Sequence, residues 1–163
     1  MYIMQITKRY VDKLSKDDFK KQVKAIEKSK KMYKQGKYYT RPKMKSFVSK
    51  ESHHVKKAKK MYNINSIKPS YELARKSGCK YNGLVQIVNK GKGAYFSSGS
   101  RPSQTAESWG IARLASALTG GKSSGIDLHI LTKYCSNDSK ALKLAKTFKQ
   151  GSKKAPKINV KKR

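Results

Sequence analysis

The stretch YNGLVQIVNKG carries the residue types best suited to reading a nucleic acid. Asn82, Gln86, Asn89 and Lys90 fall at helical spacing on the side opposite Leu84 and Ile87. An amide side chain can donate to and accept from an adenine edge at once, and a lysine meets phosphate as a point charge. A second candidate follows immediately, GKGAYFSSGSRPSQT over residues 91–105. Gly91 and Gly93 can adopt positive φ. Ser98 and Ser100 offer hydroxyls and backbone N–H groups between Lys92 and Arg101, the makings of an anion-binding nest. The commoner arrangement of such residues is a constrained turn whose serines satisfy their own backbone.

Residues for catalysis are harder to assemble. TGGKSSG ends like a phosphate-binding loop, but the first glycine of that motif would fall on Ser116, and a helix rather than a strand precedes it. His53, His54, His129 and the two cysteines lack tight metal-ligand spacing. Asp127 and His129 could be combined with a serine from 97–100 as a hydrolase set, yet no nucleophile elbow supports it; His129 reads as a core histidine. No catalytic, cofactor or metal residues are assigned, and no cofactor or small-molecule substrate is expected.

The elements that must position these residues can be read from their punctuation. In PSYELARKSGCKYNGLVQIVNKG, Ser70 caps a short helix, Gly78 ends it, and a second helix carries Leu84, Ile87 and Val88. Small Ala74, a turn at Gly78 four residues on, and apolar Leu84 and Ile87 match the spacing of a helix-turn-helix. Ser77 and Cys79 depart from the apolar residues usual there, and an ordinary helical hairpin stays open as the alternative. TAESWGIARLASALTGG predicts another helix, from a Thr105 cap to a Gly120 stop, with small residues interleaved around Trp109 for close packing. Arg113 lies among apolar neighbours on that helix; it either snorkels to solvent or pairs with Glu107 or Asp127 in a structural role. Ala94–Phe96 is the best strand candidate.

Charge sets the wider organisation. The 163 residues hold 40 Lys and Arg against 9 Asp and Glu, a formal net charge of +31. Such an imbalance is self-repulsive and implies a polyanionic or acidic partner. Lysines number 34 and arginines only 6, which favours diffuse neutralisation over bidentate base contacts. Residues 1–68 carry 21 basic and 5 acidic residues, 69–135 carry 9 and 3, and 136–163 carry 10 and 1. The expected fold is mainly α, with a small helical core over 69–150 containing the helix-turn-helix-like pair and little or no β. A basic N-terminal arm over 1–68 and a basic tail over 151–163 flank it, both extended and ordered only against a partner.

The N-terminal arm contains one amphipathic helix, capped by Ser15, with Phe19, Val23 and Ile26 on one face and a stop at Gly36. Beyond it, aromatics and cations interleave through residues 37–62, a pattern that suits nucleic acid or burial against a protein partner equally. SNDSKALKLAKTFKQG predicts a last helix capped by Asn137 or Asp138. No apolar run reaches the ~20 residues of a membrane span, no secretory signal is evident, and Cys79 and Cys135 are expected to be reduced and packed.

The segments KSKKMYKQGKYYTRPKMKSFVSK, GAYFSSGSRP, SWGIARLAS and SKALKLA, within a match from about residue 13 to residue 146, resemble a family of small lysine-rich proteins of unknown function. That family comes from nucleocytoplasmic large DNA viruses, chlorella-virus-like and other giant viruses. The resemblance implies a viral protein, assembled in the host cytoplasm and carried in the virion; it brings no catalytic residues. Two classes of function remain open. One is a minor capsid or virion component whose arms bind capsid proteins, the inner membrane surface or the genome. The other is a helix-turn-helix-like protein that compacts or regulates double-stranded DNA.

Overall fold

The computed structural model describes residues 2–148 and 154–162; the expected boundary between core and tail, at residues 149–153, lies outside the described residues. Among the described residues, eight α-helices and two strands follow one another, so the fold is mainly α with little β. They divide into two compact units. The first comprises residues 1–50, 94–105 and 152–163, and the second residues 51–93 and 106–151.

In the first unit, strand β1 (Tyr2–Thr7) pairs antiparallel with β2 (Lys157–Lys162). Met4 faces Val160 and Ile6 faces Ile158 in this register. Helix α1 (Lys16–Lys34) starts where the Ser15 hydroxyl accepts from the Asp18 N–H, and ends just before Gly36, whose φ of 75° suits glycine. Its buried face presents Val23, Ala25 and Ile26, which share a core with Met4, Ile6, Tyr10, Val11, Met44 and Tyr95, while Phe19 is half-buried. The basic ends of the chain are therefore ordered by their own apolar residues rather than held extended as arms. What the charge count concealed is the alternation of Met4 and Ile6, and of Ile158 and Val160, which lets two short segments supply each other's backbone hydrogen bonds.

The second unit contains α2 (His53–Met61), α3 (Tyr71–Ser77), the first turns of α4 (Tyr81–Ser97), α5 (Ala106–Leu118), α6 (Lys122–Ile126), α7 (Leu128–Tyr134) and α8 (Lys140–Thr147). Leu73, Leu84, Ile87, Leu114, Leu118, Leu131 and Leu142 fill its core. Tyr62 is buried there and donates its hydroxyl to the Leu118 carbonyl; burial pushes the phenol up to about 12, so it remains a donor at any ordinary pH. Ser139, rather than Asn137 or Asp138, caps α8 by accepting from the Leu142 N–H.

Four further expectations are overturned. Gly91 and Gly93 do not form a turn, and Ala94–Phe96 is not a strand: α4 runs unbroken through Ser97. Gly91 is needed for another reason, since a Cβ there would come within 2.5 Å of the Gly110 Cα. His129 is exposed rather than a core residue. Cys79 and Cys135 are joined in a disulfide, not reduced; 56 residues apart in the chain, they meet because residues 79 and 135 pair as an antiparallel bridge.

Candidate nucleic-acid interface

The α3–turn–α4 element of the second unit is built from local signals. The Ser70 hydroxyl accepts from the Leu73 N–H to start α3, and Gly78, in the left-handed region at φ 72°, ends it. The turn is then fastened to the chain following α7. The Lys80 N–H donates to the Tyr134 carbonyl at 2.8 Å, the Ser136 N–H donates to the Gly78 carbonyl at 2.9 Å, and the disulfide lies between them.

Past this clamp α4 turns Leu84, Ile87 and Val88 into the core, with exposures of 0%, 1% and 3%. The opposite face is left to solvent, and Asn82, Gln86 and Asn89 stand exposed along it. Residues spaced four and three apart share one side of a helix. Gln86 is oriented by its own hydrogen bond, in which Nε2 donates to the Tyr134 hydroxyl at 2.7 Å. The ring of Tyr134 covers Gly83, where a Cβ would sit 2.5 Å from the Tyr134 Cβ.

Around these amides the surface is aromatic and cationic. Tyr71 and Tyr81 stack with ring centroids 5.1 Å apart, and Tyr71 is 81% exposed. Arg75, Lys80 and Lys133 line a shallow cleft beside the disulfide, and the Lys133 ammonium lies 5.2 Å from the Tyr134 ring centroid. Sequence reasoning missed Tyr71, Arg75, Lys80, Tyr81, Lys133 and Tyr134. The positions of Lys80 and Tyr81 at the start of α4 could have marked them as outward. Nothing local could have brought Tyr134 to Gln86.

Lys90 and Lys92 are not free cations. Lys90 donates to Asp127 Oδ1 at 3.1 Å, and Lys92 pairs with Glu107 at 2.8 Å. Asp127 is wholly buried and also receives both arms of a fork from Arg113, Nε to Oδ2 at 2.9 Å and Nη2 to Oδ1 at 2.8 Å. Arg113 thus takes the carboxylate-paired option and holds α5 to the loop before α7. Burial pushes the Asp127 carboxyl upward, but the Arg113 hydrogen bonds and charge, with those of Lys90, outweigh it and hold the group below the usual carboxylate range. Trp109 is half-buried, and the tightest packing on α5 falls one residue later, at Gly110.

The serine-rich stretch belongs to the first unit. Ser98 is exposed, its hydroxyl 3.4 Å from that of Ser97, and Arg101 is exposed as well. Ser100 is turned inward: its hydroxyl accepts from Arg41 Nη2 at 2.7 Å and donates to the Arg101 carbonyl. Gly99, at φ 112°, lies against the Tyr10 ring. The hydroxyl expected to face an anion serves a buried guanidinium instead.

Among the described residues, no helix is long and apolar enough to cross a membrane, and no three His, Cys, Asp or Glu side chains gather as a metal site. No curated protein and no solved structure matches the chain. A family model does match, over residues 7–129, which takes in β1's last residue, both halves of the α3–α4 element and the Arg113–Asp127 pair. With three quarters of its length covered, the chain belongs to the family of unknown function DUF5824.

Proposed function

We propose that this is a non-enzymatic DNA-binding protein of a large DNA virus, which lays α4 against duplex DNA and neutralises phosphates with its lysines. The observation that carries the reading is the exposed row Asn82, Gln86 and Asn89 on a helix whose other side is core, presented by a turn with the Ala74, Gly78, Leu84 and Ile87 spacing. Lys80, Arg75 and Lys133 flank the row and form no ion pair among the described residues, so they are available to the backbone that base contacts require for register. The folded ends of the chain weaken the case for extended arms lying along capsid proteins.

Titration of a labelled duplex at increasing salt tests the proposal. Neutralising ~6–10 phosphates costs ~10³–10⁵ in affinity between about 50 and 200 mM salt. Selection from a random duplex pool should yield a preferred sequence, and Asn82→Ala with Gln86→Ala should flatten it by about 1–3 kcal/mol per lost bidentate contact. Binding that is blind to sequence and indifferent to both substitutions overturns direct readout by α4.

The 34-to-6 excess of lysine over arginine supports a second reading, a minor virion component bound to capsid proteins or an anionic lipid surface. Quantitative mass spectrometry of purified particles separates the two: a fixed copy number matched to the capsid lattice supports the second, and absence from particles removes it.

A further inference from the structure

The first unit carries a separate aromatic surface that the α4 reading does not use. Tyr33, Tyr38 and Phe96 form a three-ring cluster, with centroids 6.2 Å apart for Tyr33 and Tyr38, 6.1 Å for Tyr33 and Phe96, and 5.1 Å for Tyr38 and Phe96. Tyr38 is 72% exposed and Tyr33 37%, far more than a core cluster of this size leaves to water.

The cluster rests on a rigid base. Phe96 meets the buried ring of Tyr95 edge to face at 5.1 Å, and the Tyr95 hydroxyl accepts from the Arg41 N–H at 2.8 Å. The Arg41 guanidinium lies 3.7 Å from the Tyr95 ring centroid and donates to the Tyr95 carbonyl, while the Ser29 hydroxyl donates to the Phe96 carbonyl. Both backbone and ring of the platform are therefore fixed before anything binds, which lowers the ordering cost of a ligand.

The charge around it has one sign. Lys34 and Lys37 lie between the two tyrosines in the chain, and Lys30 lies one turn earlier on α1; none of the three is paired with a carboxylate among the described residues. Lys30 is half-buried, and burial, with the nearby ammonium groups of Lys157 and Lys34, disfavours its charge, as expected where cations gather without a counter-ion. The unit as a whole has 23 basic and 4 acidic residues.

We propose that Tyr33 and Tyr38, on the Phe96 base, form a stacking platform for unpaired nucleobases, with Lys30, Lys34 and Lys37 engaging the phosphates of the same single strand. Exposed ring faces set among cations are what sequence-tolerant single-strand binding requires. A duplex hides its base faces and cannot use them. Although Phe96 lies in the last turns of α4, the platform uses none of the exposed amides Asn82, Gln86 and Asn89, so either reading can fail alone.

The test is fluorescence anisotropy of the full chain with a labelled oligothymidylate of ~12 nucleotides and, in parallel, a blunt duplex. Tyr38→Ala is expected to weaken oligothymidylate binding about 5- to 150-fold, the loss of one stacked base, with duplex affinity unchanged within about twofold. Tyr38→Phe should keep the affinity, since the ring and not the hydroxyl stacks. Asn82→Ala with Gln86→Ala should leave oligothymidylate binding intact whether or not it alters duplex selection. The platform is overturned if Tyr33→Ala and Tyr38→Ala bind oligothymidylate like the unaltered chain, if they lose duplex and single strand equally, or if Tyr38→Phe is as weak as Tyr38→Ala. It is likewise overturned if Tyr38→Ala instead reduces binding only to vesicles containing phosphatidylserine. All the substituted side chains are exposed, and far-ultraviolet circular dichroism verifies that each variant folds.

Discussion

The first unit buries a cation among neutral acceptors, whereas the second buries an anion between two cations. Arg41 is 5% exposed and spends its guanidinium on the Ser29 and Ser100 hydroxyls, the Tyr95 carbonyl and the face of the Tyr95 ring. Asp127 is 0% exposed and receives the Arg113 fork and the Lys90 ammonium. In a chain of net charge +31, a buried carboxylate is favoured by nearly every other charge, while a buried guanidinium adds to the repulsion. Only dipoles and a ring offset the desolvation of Arg41, so its site depends on geometry; the Asp127 site depends on charge.

That contrast can be broken most forcefully at Asp127. Asp127→Ala strands Arg113 with no anion in a largely buried position and should destabilise the second unit by about 3–5 kcal/mol. Urea unfolding followed through Trp109, the single tryptophan and a residue of that unit, reads the loss. A change below about 1 kcal/mol would falsify the view that the carboxylate is the counter-charge Arg113 needs.

Replacing both cysteines, Cys79→Ser with Cys135→Ser, should cost the same unit about 2–4 kcal/mol by releasing the unfolded chain. Hydrogen exchange should show faster opening around residues 78–80 and 134–136 and little change in β1. Equal loss of protection in both units would mean that the bridge does not act locally.

Arg41→Met should cost the first unit about 1.5–3 kcal/mol, the scale of hydrogen bonds to a charged group, and less than Asp127→Ala because no charge is left bare. Arg41→Lys should rescue little of it, since one ammonium cannot span Ser29, Tyr95 and Ser100 together. Full rescue by lysine would show that charge, not the planar fork, is what the site holds.

The smallest effect is on pH. Asp127 is held below its ordinary value in the folded state, so its contribution is present above the unfolded pKa of about 4 and is lost as pH falls through the folded value. Stability of the second unit should be flat from neutral pH down to about 4 and decline below it. In Asp127→Asn that decline should be shallower; an unchanged slope would assign it to other carboxylates.

Much of the helical pattern is legible in the chain because its signals are local. Ser15, Ser70 and Gly78 act within a few residues of where they stand, and the Ala74, Gly78, Leu84 and Ile87 spacing carries its own geometry. The errors occur where a residue's role depends on a distant partner. Gly91 looks like a turn residue until Gly110 is against it. Ser100 looks like an anion ligand until Arg41, 59 residues earlier, takes it. Cys79 and Cys135 give no hint of each other. The basic ends look unfoldable because lysine dominates the count, although the few apolar residues between lysines alternate as a strand requires. Of the α4 surface, the amides were readable from spacing, while Tyr71, Lys133 and Tyr134 come from other helices and were not.

The Gly91–Gly110 crossing constrains how α4 is oriented. A Cβ at Gly110 would come within 2.6 Å of the Val88 carbonyl oxygen, just as one at Gly91 would strike Gly110. Two helices that meet with no side chain between them have almost no freedom to slide or roll, because a shift of one residue drives a β-carbon into main chain. The pair acts as an alignment pin that sets the rotational angle of α4 and hence the direction in which Asn82, Gln86 and Asn89 point. Two glycines thereby fix the direction in which the exposed amide row faces.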